Sequence, residues 1–180
     1  MSKRQALLDA AEKRVRTGGY DNFSFRDLAA DVGIKSASVH YHFPTKASLA
    51  ETLVQNYSDR FMAALPPLES DSSHPQAFIS AYVQLFRSAL IDDELMCLCG
   101  LFGAETDALP EAVRLQTRHF FERNIEWLTQ VYQKDHLLDS EHARNKAIGL
   151  IAGLEGAMLM SKSLGDNGIF EQVAAQLSAQ

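Results

Sequence analysis

Helical periodicity runs through almost the whole of this 180-residue sequence, and it is the feature that most restricts the possible folds. In the first segment, Leu7, Ala11 and Val15 recur at spacings of four residues, which places them on one face of a helix. No segment shows the apolar and polar alternation that marks a half-buried strand. The pattern therefore predicts an all-α protein with about nine helices, and 46% hydrophobic residues are enough to build its core.

Local signals place the ends of several helices. Gly18 and Gly19 can end a first helix that spans about 3 to 17, and Ser24 with Asp27 forms a candidate capping box for a second. Longer helices are expected after the polar, proline-bounded segment 66–75. A connecting helix is predicted at about 45–63, before that segment. The predicted ranges after it are about 108–134, 140–162 and 166–178.

Charge is distributed unevenly between the two parts of the chain. The net charge is −6, yet residues 1–60 hold nine basic against seven acidic side chains, and residues 61–180 hold eight against sixteen. A polyanionic partner favours the less acidic part, so only the N-terminal part is expected to meet phosphate. We predict domains at 1–48 and 64–180, joined through the connecting helix.

The segment SFRDLAADVGIKSASVHYHF, residues 24–43, contains two short helical stretches around a glycine. A helix-turn-helix needs a small residue where the helices cross, a glycine with positive φ in the turn, and an apolar anchor on the second helix. Ala29, Gly33 and Val39 have the required types and spacing. The segment therefore predicts a helix-turn-helix.

The similarity extends over about 48 residues, from an alanine-rich first helix through a Gly-Tyr turn, a Ser-capped second helix and Val-Gly-Ile to the run YHFPTK. Over this length the chain resembles the TetR family of transcriptional regulators. The resemblance implies a three-helix DNA-binding domain, then a larger helical domain for ligand sensing and dimerisation. It implies a repressor that binds a pseudo-palindromic operator on double-stranded DNA as a homodimer and is released by a small-molecule inducer.

The second helix of the motif enters the major groove with its N-terminal part. Small side chains there let the backbone approach base edges, and histidine, tyrosine and lysine further along can reach phosphate. Lys35 and His40 depart from the family pattern, which usually has serine and tyrosine at those positions. The predicted DNA contacts are Ser24, Lys35, Ser36, Ala37, Ser38, His40, Tyr41, His42 and Lys46.

A dimer surface is predicted on the last two helices, where a strip of glycines allows a second helix to come close. The alternative is that these glycines only ease packing within one subunit. The predicted interface residues are Gly149, Gly153, Gly156, Met160, Phe170, Val173 and Leu177.

The middle helices are expected to hold the inducer, since aromatic residues and methionine line apolar cavities. Each apolar candidate also fits an ordinary core position. His119 and Glu105 could add polar contacts, or they could lie on a solvated helix face. The predicted ligand residues are Tyr82, Phe86, Met96, Cys97, Cys99, Phe102, His119, Phe120 and Trp127.

Two alternative functions are open. Cys97 and Cys99 could sense oxidants or electrophiles, or the chain could be a helical interaction protein without specific DNA binding. The sequence lacks a nucleophile elbow, a phosphate loop and a set of four metal ligands, so we predict no enzyme, no metal site and no cofactor. It also lacks an uncharged apolar run of about 18 to 20 residues and a signal-peptide pattern, which predicts a cytoplasmic protein without a membrane partner.

Overall fold

The computed structural model describes residues 2–69, 75–134 and 138–179. Within these ranges the chain forms nine α-helices and no strands, which confirms the predicted fold class. The middle of the predicted polar segment 66–75 lies outside the described residues. The helices are α1 (Lys3–Gly18), α2 (Phe25–Val32), α3 (Ser36–His42), α4 (Lys46–Ala63), α5 (Pro75–Arg87), α6 (Leu98–Ala104), α7 (Glu111–Tyr132), α8 (Ser140–Leu164) and α9 (Gly168–Ser178).

The chain divides into two compact units. The first unit contains residues 1–59 and 98–120, and the second contains residues 60–97 and 121–180. The helix-turn-helix therefore shares its unit with α6 and the first part of α7, although more than 30 residues of sequence separate them.

Capping residues set the ends of α1 and α2. The Ser24 hydroxyl accepts the Asp27 N–H, and the Asp27 carboxylate accepts the Ser24 N–H, which completes the predicted capping box. The side-chain hydrogen bond from Ser24 holds the pKa of Asp27 below its ordinary value. At the C-terminal end of α1, Gly19 has a φ of 76° and its N–H donates to the Val15 carbonyl.

The turn between α2 and α3 depends on Gly33. Its φ of 69° and ψ of 40° lie in the left-handed region, and space for a Cβ is open, so backbone conformation is what favours glycine here. The next amide, Ile34 N–H, bonds to the Ala29 carbonyl at 2.9 Å. Ala29 and Val39 are buried, so the structure gives all three motif residues their predicted roles.

In the second unit, α9 packs along α8 and is joined to α5 by a bidentate ion pair. Arg87 donates to both carboxylate oxygens of Glu171, at 2.7 and 2.6 Å. These hydrogen bonds hold the pKa of Glu171 below its ordinary value. The Phe170 ring, fully buried, attaches the start of α9 to the core of the protomer.

Among the described helices, α8 alone is long and apolar enough to cross a membrane by length and composition, with a mean hydropathy of 1.3 over 18 residues. Five charged residues lie on α8, among them Glu155 and Lys162 in its C-terminal half, and 39% of the apolar window is buried within the protomer. One such helix is weak evidence of a membrane span, because core helices have the same composition.

Candidate DNA-binding site

Helix α3 presents a continuous polar surface around one buried anchor. Val39 is fully buried and Phe43, directly after the helix, is nearly so, which fixes the orientation of α3 in the first unit. His42 is half-buried, and the Tyr41 side chain is 87% exposed. The exposed predicted contacts on α3 and at its N-cap are Lys35, Ser36, Ala37, Ser38, His40 and Tyr41.

Rings pack at the C-terminal end of this surface. The His40 ring meets the Phe25 ring edge to face, with centroids 4.8 Å apart, and the Tyr41 and His42 rings meet similarly at 5.2 Å. These contacts restrict the rotamers of side chains that are otherwise exposed. The exposed face is therefore partly ordered before any partner binds.

The Ser24 hydroxyl is used within the protein. It donates to Asp27 Oδ2 at 2.6 Å in addition to accepting the Asp27 N–H. Its predicted role toward DNA stays a prediction.

Lys46 lies at the first position of α4. Its Nζ is 4.2 Å from the centroid of the Tyr20 ring, 4.7 Å from that of Phe23 and 3.4 Å from Asp21 Oδ1. We call these three residues the Lys46 cradle. The Lys46 side chain is 30% exposed and the Asp21 carboxylate fully exposed, so solvent screens this ion pair.

A second ion pair joins α1 to α2. Arg14 donates to both carboxylate oxygens of Asp31, at 2.6 and 2.9 Å. These side-chain hydrogen bonds lower the pKa of Asp31 below its ordinary value. The pair joins the two helices that precede α3, and helical periodicity alone does not predict it.

In the second unit, three predicted ligand residues form one aromatic cluster. The Tyr82 ring stacks on Trp127 with centroids 6.0 Å apart and packs against Phe86 at 5.5 Å. The buried Tyr82 hydroxyl donates to Asn124 Oδ1 at 3.0 Å. Sequence reasoning missed Asn124, because a single amide on a helix carries no distinctive spacing.

The structure divides the other predicted ligand residues between the units. Met96 and Cys97 are buried in the second unit. In the first unit, the ring centroids of Phe102 and Tyr20 are 6.1 Å apart, and those of Phe120 and Tyr57 are 5.9 Å apart. The other predicted ligand residues in the first unit are Cys99, which is buried, and His119, which is exposed.

Glu155, on α8, was also missed. Its side chain is partly accessible, yet its Oε1 is fully buried and has no hydrogen-bond partner among the described residues. Burial raises the pKa of Glu155 from 4.5 to about 7, and a side-chain hydrogen bond with Cys97 opposes that rise. Nothing in the local pattern distinguishes this acid from any other charged residue on a helix.

The predicted dimer residues occupy different positions on α8 and α9. Space is open beyond Gly149 and Gly156, whereas a Cβ at Gly153 would overlap the Leu177 side chain of the same protomer. Met160 is exposed, Val173 is partly exposed, and Phe170 is buried inside the protomer. Gly153 therefore faces α9, whereas a Cβ added at Gly149 or Gly156 would meet no described atom within 4 Å. We call the side of α8 that carries Gly156 and the exposed Ile148, Leu159 and Met160 its free side.

Comparison with known proteins identifies the family. Residues 7–53 match the model of bacterial regulatory proteins of the TetR family, and residues 75–176 match the model of the LmrA/YxaF-like transcriptional regulator C-terminal domain. The second match alone spans more than half of the chain. This chain belongs to the TetR family of transcriptional regulators.

Solved structures agree with the family models. A TetR transcriptional regulator from Legionella pneumophila is 30% identical, with a TM-score of 0.93 over 99% of this chain and 97% of that one. A TetR-family regulator from Agrobacterium tumefaciens is 31% identical, with a TM-score of 0.91 over 98% of this chain and 96% of that one.

A third similar protein is the nicotine-responsive transcriptional repressor HdnoR of Paenarthrobacter nicotinovorans. It is 26% identical over 98 residues, which are 54% of this chain and 50% of that repressor. The chain therefore spans about half the length of this relative.

Proposed function

We propose that this regulator is a homodimeric repressor that binds a pseudo-palindromic operator through α3 and is released by a small-molecule signal. The observation that carries this proposal is the exposed polar face of α3 around the buried Val39. A helix with one anchored side and one free side, placed after a left-handed glycine turn, suits insertion into a major groove.

The residue types on that face suit two kinds of contact. The hydroxyls of Ser36 and Ser38 can bond base edges, and Ala37 can pack on a thymine methyl group. Tyr41 and Lys46 supply a hydroxyl and a charge for phosphate, which fix the position of the protein without reading sequence. The site thus combines small residues for the groove with longer ones for the backbone.

Dimerisation is proposed through the free side of α8. The exposed residues include Ile148, Ala152, Leu159 and Met160, with open space at Gly156 between them. Exposed apolar side chains in one stripe, next to a position that admits a close helix, mark an interaction surface. To read a pseudo-palindrome, the homodimer must present its two copies of α3 about 34 to 36 Å apart, one turn of B-form DNA.

The signal is proposed to act on the second unit. Its aromatic cluster offers stacking surfaces, and the buried Asn124 beside Tyr82 offers hydrogen bonding of the kind that orients a ligand. The name of the nicotine-responsive repressor supports a small organic molecule as signal in this family. Because this chain is proposed to act by binding DNA, we also propose that it is located in the cytoplasm and has no catalytic role.

Selection from a random duplex library tests the proposal. The purified protein should enrich a pseudo-palindrome, and Ala37→Glu should abolish enrichment, because its exposed position tolerates the side chain in the fold while the charge repels phosphate. A control variant, Ala77→Glu, makes the same substitution at an exposed position of α5. If the native protein enriches no sequence, the proposal fails, and an interaction protein without specific DNA binding is the better reading.

Lys46→Ala is expected to weaken binding to most duplexes alike, roughly tenfold per half-site, because it removes one charge-assisted phosphate contact. The slope of log affinity against log salt should fall by about one unit per half-site. Fluorescence anisotropy at several salt concentrations measures both quantities. A loss confined to one base position would contradict a phosphate role.

A further inference from the structure

The loop after α1 is held by a carboxylate from a distant part of the sequence. Glu105 Oε2, just beyond the end of α6, accepts the Tyr20 N–H at 2.8 Å. A Cβ at Gly19 would overlap Glu105 Oε1, and Gly19 has a φ of 76°. Glycine at this position therefore both forms the turn and admits the carboxylate.

This hydrogen bond fixes the ring that lies under Lys46. The Tyr20 ring meets Phe23 and Phe102 edge to face, with centroids 6.0 and 6.1 Å away. Its face lies 4.2 Å from Lys46 Nζ, a distance suited to a cation–π interaction. A continuous series of contacts thus runs from Glu105 through the backbone and ring of Tyr20 to the Lys46 ammonium.

We infer that Glu105 is a positioning residue for DNA binding, which acts on Lys46 by fixing Tyr20 in the Lys46 cradle. The inference rests on the proposed phosphate contact of Lys46. Lysine has a flexible four-carbon stem, so a fixed aromatic surface reduces the conformations that its ammonium must give up when it meets phosphate. Loss of the Glu105 hydrogen bond frees the loop and removes that restriction.

A double-mutant cycle tests this inference with the duplex enriched by the native protein. The loss of log affinity in Glu105→Ala should be at least half of the loss in Lys46→Ala. The salt slope should also fall in Glu105→Ala, as it does in Lys46→Ala. In the Lys46→Ala background, Glu105→Ala should have almost no further effect, since the residue through which it acts is absent. Glu105→Gln retains a carbonyl acceptor for the Tyr20 N–H and should restore most of the affinity.

Asp107→Ala is the matched control, because it removes an exposed carboxylate from the same turn. The inference is overturned if Glu105→Ala binds DNA as tightly as Asp107→Ala does. It is also overturned if Glu105→Ala causes the same loss of affinity in the Lys46→Ala background as in the native protein. An unchanged affinity in Lys46→Ala also overturns it. Failure of the native protein to enrich any duplex would instead contradict the proposed function, so the two failures are distinguishable.

Discussion

The double variant Leu159→Lys with Met160→Lys should be monomeric at micromolar concentration and lose specific DNA affinity by about a thousandfold or more. These side chains are 56% and 49% exposed on the free side of α8. In a two-fold interface each new ammonium would lie near its symmetry mate, so apolar burial would be replaced by repulsion between like charges. Sedimentation equilibrium gives the mass, and anisotropy with the enriched duplex gives the affinity.

Leu115→Lys is the control for this experiment. Leu115 is 52% exposed on α7, so the substitution places the same charge on another exposed apolar position. It should leave both mass and affinity nearly unchanged. A double variant that remains dimeric would show that α8 pairs through other residues or that the dimer forms elsewhere.

Features of the fold that depend on neighbouring residues could be predicted from the sequence. The Ser24 and Asp27 capping box and the left-handed Gly33 arise from contacts within four residues of one another. Helix periods, caps and glycine turns are local, and they fix the helix-turn-helix without knowledge of the remaining chain. The polar face of α3 then follows from Val39, its one inward-facing anchor.

Contacts between residues far apart in sequence could not be predicted in the same way. The sequence left Glu105 as either a polar ligand contact or part of a solvated helix face, whereas it bonds to Tyr20, 85 positions away in sequence. The glycines of α8 raise the same difficulty, because only the packed structure shows that Gly153 meets Leu177 while Gly156 is open. Periodicity tells which residues share a face, and tertiary packing decides what that face contacts.

The burial of Glu155 belongs to this second group and leads to the largest expected change in stability. The folded-state pKa of Glu155 is raised from 4.5 to about 7. Between those two pH values the unfolded chain releases the proton and the folded chain keeps it, so the free energy of unfolding falls as pH rises. Integrated over the whole window, this loss is about 3 kcal/mol.

Glu155→Gln should remove that loss, because the amide resembles the protonated acid in shape and does not titrate. The variant should match the native protein near pH 4.5 and exceed its free energy of unfolding by up to about 3 kcal/mol at pH 8. Urea unfolding at fixed protein concentration measures this, and concentration must be fixed because dimerisation contributes to stability.

Two further variants identify the cause. Cys97→Ala removes the hydrogen bond that opposes the rise in the pKa of Glu155, so the loss of stability should extend to higher pH and become larger in total. Glu126→Gln, on the exposed face of α7, should leave the pH dependence of the native protein nearly unchanged. If Glu155→Gln loses stability between pH 5 and 8 as steeply as the native protein does, another group titrates in that window. The buried Oε1 would then have found a partner in solution, either water or a second protomer.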